Sequence, residues 1–240
     1  MNILLISNST NAGEHFLHHA LPEIENTLRG VRHLVFIPYA AANGDYAGYE
    51  KRVQEAFAPL GITVRSIHTS PRPRIVIRHA EAICIGGGNT FALVKMLQEQ
   101  DLLSAIRRRV EAGIPYVGWS AGANVACPSI STTNDMPIVC PPSFDAIDLV
   151  GFQINPHYTD AAIPNFSGET RDKRIEEFTQ VNGRRYVVGL REGSMLHLHD
   201  DSIELLGGKP LKLFRRGMKP CELTAADDLS FLLARRGRME

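Results

Sequence analysis

The segment Gly118-Trp119-Ser120-Ala121-Gly122 has the form G-x-S-x-G, a serine with glycine two residues away on each side. A serine hydroxyl can serve as a nucleophile when it sits on a sharp strand-to-helix turn, where larger flanking residues would collide. The surroundings suit that reading: Pro115-Tyr116-Val117 is apolar, and Ala121 through Ala126 are small or helix-compatible. A helix opening at Ala121 would aim that residue's N–H at a developing oxyanion. The competing explanation is a serine that merely caps the helix. Gly86-Gly87-Gly88-Asn89 is a second glycine-rich turn. It has neither G-x-G-x-x-G spacing nor a Gly-Lys-Ser/Thr ending, which argues against phosphate. Consecutive glycines allow close backbone approach, so Gly88 is the candidate second oxyanion donor; a plain tight turn is the alternative.

A serine nucleophile needs a base. Among the nine histidines, His157 stands apart because it follows a short strand-like run, 152–155, and then Pro156. That position predicts a loop leaving a sheet, where catalytic groups commonly sit. His197-Leu198-His199-Asp200-Asp201 would place two imidazoles on one strand face. A polar outer face explains this pair more simply, and no metal is assigned.

These candidates require a scaffold. Up to Gly118, strand-like runs (2–7, 34–37, 62–67, 82–85, 114–118) alternate with helical stretches (14–28, 46–57, 75–80, 90–98, 102–112). Such alternation predicts an α/β fold, a doubly wound and mostly parallel sheet with helices on both faces. Both glycine-rich turns then fall at the carboxyl ends of strands, where open sheets bind ligands. Beyond residue 130 the pattern loosens into a loop over 131–142, a strand 152–155, a helix 171–180 and a strand 186–190. Residues 195–198, 202–206 and 211–214 read as antiparallel strands at the C-terminal sheet margin. No linker, repeat or low-complexity tract interrupts 1–240, which predicts one domain.

Lys plus Arg equals Asp plus Glu at 26 each, so no net field recruits nucleic acid or an anionic membrane. No stretch approaches the roughly 20 apolar residues of a membrane span, and the apolar start lacks the basic flank of a signal peptide. The four cysteines, Cys84, Cys127, Cys140 and Cys221, form no CxxC pair. Reduced thiols in the cytoplasm are the expectation.

Longer motifs add a family resemblance. Residues 118–124, Thr132-Thr133-Asn134-Asp135-Met136-Pro137 and Gln153-Ile154-Asn155-Pro156-His157 strongly resemble the peptidase E family of bacterial α-aspartyl dipeptidases. So do Leu5-Ile6-Ser7-Asn8-Ser9-Thr10, Gly168-Glu169-Thr170-Arg171 and Val188-Gly189-Leu190-Arg191-Glu192-Gly193; beyond about Gly208 the likeness is loose. The resemblance implies a serine peptidase that cleaves dipeptides with N-terminal aspartate, without metal or cofactor. It implies a fold like class I glutamine amidotransferase domains, with serine where those carry cysteine. It makes Ser120 the nucleophile and His157 the base. Asp135 and Glu192 both match family positions for the acid that orients the base. Glu192 is favoured because it follows the strand 186–190 and keeps the order nucleophile, His, Glu; Asp135 then becomes a second carboxylate near the substrate. Either could instead be a turn-capping acid. Arg171 is the candidate for the aspartate side chain, against an ordinary first-turn arginine. An amide-transfer module, or a binding domain without chemistry, are the rival functions.

Overall fold

A computed structural model describes residues 1–161 and 168–233. Among these, five parallel strands are laid down in turn: β1 (Asn2–Ile6), β2 (His33–Ile37), β3 (Thr63–Ser66), β4 (Ala82–Ile85) and β5 (Tyr116–Trp119). Helices α1 (Leu21–Thr27), α2 (Tyr46–Phe57), α3 (Pro73–Arg78), α4 (Thr90–Glu99) and α5 (Leu103–Glu111) connect them, and α6 (Ala121–Asn124) follows β5. The strand order is β3-β2-β4-β5-β1, extended by the antiparallel β8 (Met195–His199) and β9 (Ser202–Leu206).

Alternation within each strand explains the two-faced burial. Ile3, Leu5, Val35 and Ile37 point into one core with α4, α5 and α6. Leu4, Ile6, Leu34 and Phe36 point into the other, against α1 and α2. A strand covered on both faces must be apolar throughout, and Ile3 through Ile6 are fully buried.

Four later strands build something the strand pattern did not separate. β6 (Gln153–Tyr158) and β7 (Val187–Arg191) pair in parallel, and β10 (Leu211–Phe214) and β11 (Cys221–Leu223) add antiparallel strands. They form a second sheet, β11-β10-β7-β6, flanked by α7 (Arg171–Val181). Of the three expected margin strands, β8 and β9 edge the large sheet, whereas β10 belongs to the small one. The expected helix over 14–28 shortens to α1, because Leu17 takes a left-handed φ of 59° and Pro22 sits in the first turn. Proline there forfeits no hydrogen bond.

Candidate active site

Ser120 lies between β5 and α6 with φ 52° and ψ −113°, a strained conformation for a residue with a side chain. The two flanking glycines make the turn possible. A Cβ on Gly118 would stand 2.5 Å from the Gly122 carbonyl oxygen, and one on Gly122 would stand 2.1 Å from that of Ile85. Gly122→Ala is therefore expected to lower stability by about 1–3 kcal/mol, the usual cost of overpacking, read as a fall in the urea midpoint.

The serine is not alone. His157 Nε2 lies 2.9 Å from Ser120 Oγ, and His157 Nδ1 lies 2.7 Å from Glu192 Oε1. His157 was expected on a loop; it sits within β6, at a bulge where the register with β7 shifts between Asn155 and Tyr158. Its φ of 52° turns the imidazole out of the strand toward the elbow. Glu192 directly follows β7, so the parallel pair β6–β7 presents His157 and Glu192 at neighbouring strand ends.

Asp135 is engaged elsewhere. Its Oδ2 accepts from the Thr90 N–H at 2.7 Å, at the N-terminus of α4. An anion there is favoured by the helix dipole. The adjoining Asn134 is the hub of a polar cluster. Its Nδ2 donates to the Pro156 carbonyl at 2.6 Å, and its Oδ1 accepts from Asn155 Nδ2 at 2.6 Å and from Arg171 Nη1. The Arg171 guanidinium thus reaches a residue bonded to the one before His157. Burial pulls its pKa down from the ordinary value, Arg174 adds to this, and Asp135 opposes it. The guanidinium is thus partly desolvated, with Asp135 as a nearby counter-charge.

Ala121 opens α6, so its N–H has no intrahelical partner. Gly87 is beside Ser120: a Cβ there would stand 2.9 Å from Ser120 Cβ. Gly88 has φ 132°, and a Cβ on it would stand 2.2 Å from the Ala40 carbonyl oxygen. Among the described residues, no acceptor is paired with the Gly88 N–H. Tyr49, which sequence reasoning passed over, orients this peptide. Its hydroxyl accepts from Trp119 Nε1 at 2.9 Å and donates to the Gly87 carbonyl at 3.2 Å. In a trans peptide the Gly88 N–H points opposite to that carbonyl, away from Tyr49. Burial raises the Tyr49 pKa, keeping the phenol a neutral donor.

His197 and His199 lie on β8, paired with Leu4 and Asn2 of β1. His197 is buried and its Nε2 lies 2.9 Å from Asn2 Oδ1. Among the described residues, no group of three or more metal-ligating side chains is assembled.

The family model described as Peptidase family S51 matches residues 3–206. The chain belongs to peptidase family S51. Peptidase E of Nostoc sp. is 50% identical over 97% of this chain and 97% of its own length. Peptidase E of Streptomyces coelicolor is 46% identical over 100% of this chain and 98% of its own. The crystal structure of a peptidase from an acI-B1 Actinobacterium shares the fold, with a TM-score of 0.70 at 18% identity over 96% of each chain. This S51 member is a serine peptidase, and its substrates are peptides.

Proposed function

We propose that this S51 peptidase hydrolyses dipeptides with N-terminal aspartate through an acyl-enzyme, with Ser120 as nucleophile, His157 as base and Glu192 as its orienting acid. The observation that carries the reading is the continuous chain of hydrogen-bond distances from Ser120 through His157 to Glu192. His157 takes the Ser120 proton as Oγ attacks the carbonyl after the aspartate. The oxyanion rests on the Gly88 and Ala121 N–H groups. His157 then protonates the leaving amine, and a water activated by the same imidazole releases aspartate. No step calls for a metal or cofactor.

Arg171 is assigned to the substrate's side-chain carboxylate, and Asp135 tunes that pocket. Burying the carboxylate unpaired would cost several kcal/mol, and a planar fork matches it with two parallel hydrogen bonds. Asn in place of Asp forfeits the charge-assisted part, roughly 1.5–3 kcal/mol per hydrogen bond, or at least about tenfold in rate. Arg171→Lys should accordingly weaken kcat/KM for Asp-X far more than for residual Asn-X. Equal losses on both would leave Arg171 as a support of the Asn134 cluster only.

The enzyme is assigned to the cytoplasm, where its thiols remain reduced: Cys84, Cys127, Cys140 and Cys221 are all unpaired. Among the described residues, no helix is long and apolar enough to cross a membrane. Labelling of Ser120 by a fluorophosphonate, alongside a panel of Asp-X, Glu-X, Asn-X and longer Asp-initiated peptides, tests the whole reading. An unlabelled serine would mark a binding domain, and equal turnover of the panel would remove the aspartate preference.

A further inference from the structure

The motif Leu5–Thr10 has so far no role, yet it stands where the two sheets meet. Ser7 follows β1 in the large sheet and is fully buried. Its hydroxyl donates to the Leu190 carbonyl at 2.7 Å and accepts from the His157 N–H at 2.9 Å. Leu190 is two residues before Glu192, so this one oxygen ties the strand of the base to the strand of its carboxylate. Next to it, the Asn8 Oδ1 accepts from the Gly193 N–H at 2.7 Å, just after Glu192. Asn8 is itself held by its Nδ2, which donates to the Thr10 carbonyl at 2.9 Å and to Asn11 Oδ1 at 3.0 Å.

We infer that Ser7 is a positioning residue for His157, with Asn8 playing the same part for Glu192. The reason lies in the bulge. A bulged residue loses its ladder partner, and His157, at φ 52°, holds a conformation that its neighbours must impose. Its N–H needs an acceptor inside the protein, while the Leu190 carbonyl nearby needs a donor. A hydroxyl meets both demands from one atom. Ser120 rides on the large sheet and His157 on the small one. Ser7 therefore sets the distance between them by bonding the His157 backbone to the strand next to β5.

The inference rests on the proposed Ser120–His157 chemistry, and a mutant cycle separates the two. The readout is hydrolysis of aspartyl-p-nitroanilide, with the thermal midpoint checked for each variant. Ser7→Ala should lower kcat roughly tenfold to a hundredfold, the scale of a misplaced catalytic group, with KM nearly unchanged. In a His157→Ala background the same change should cost almost nothing further, because its effect passes through the imidazole. Equal factors in both backgrounds would make Ser7 a general support of the fold and overturn the inference. So would parent-like kcat for Ser7→Ala. Asn8→Ala carries the same cycle, with the same two overturning results, should Ser7→Ala not fold. If His157→Ala is itself fully active, the proposed function fails instead.

Discussion

Ser120→Ala is expected to lower kcat by roughly 10⁴- to 10⁶-fold, leaving only what binding and oxyanion stabilisation supply without a nucleophile. Ser120 holds φ 52° and ψ −113° between glycines at which a Cβ would collide with backbone atoms. Alanine keeps the backbone and removes only Oγ. The thermal midpoint should stay close to the parent's, while hydrolysis of aspartyl dipeptides and fluorophosphonate labelling both disappear. Turnover within a few per cent of the parent would refute the covalent route, because no other hydroxyl stands 2.9 Å from His157 Nε2 among the described residues.

The second large effect separates two carboxylates. Glu192→Gln should lower kcat by about a hundredfold or more, since a neutral amide cannot stabilise the imidazolium that forms as Ser120 loses its proton. The loss should fall at the low end of the range for such triads, because the Glu192 side chain is 56% exposed and water screens its charge. Labelling of Ser120 should slow along with turnover. Asp135→Asn should act differently. Its carboxylate accepts from the Thr90 N–H and sits electrostatically beside Arg171. It should raise KM for Asp-X while Ser120 still labels close to the parent rate. Slow labelling in Asp135→Asn together with normal labelling in Glu192→Gln would exchange the two roles.

What could be read from the residues divides by range. The elbow was legible because its requirements are contiguous: an apolar strand, two glycines and small residues occupy one short segment. The parallel sheet was legible because strands buried on both faces, such as Ile3–Ile6, must be apolar throughout. The second sheet was not. The runs that become β6 and β7 have the same pattern whether they extend the first sheet or found another, and the choice of partner is non-local. For the same reason, spacing left Asp135 and Glu192 as rivals; only folding decides which loop reaches the imidazole. Tyr49 escaped notice because an aromatic residue on a helix's apolar face reads as core. Its hydroxyl carries the information, and the pattern of hydrophobic residues is blind to it.

The division of the proposed site between two sheets also governs when its parts can first come together during synthesis. A ribosome-bound chain that has emerged only as far as α6 already holds Ser120, the elbow and both glycine-rich turns. It has no base. His157 arrives with β6, and its carboxylate only after β7. The bonds that join these strands to Ser7 close loops of 150 and 183 residues. Contacts of such separation form late, because the chain's entropy must be spent before they repay it. The Ser120–His157–Glu192 arrangement therefore cannot assemble before β7 has been made and docked. A copy that ends before β6 carries Ser120 without the imidazole beside it.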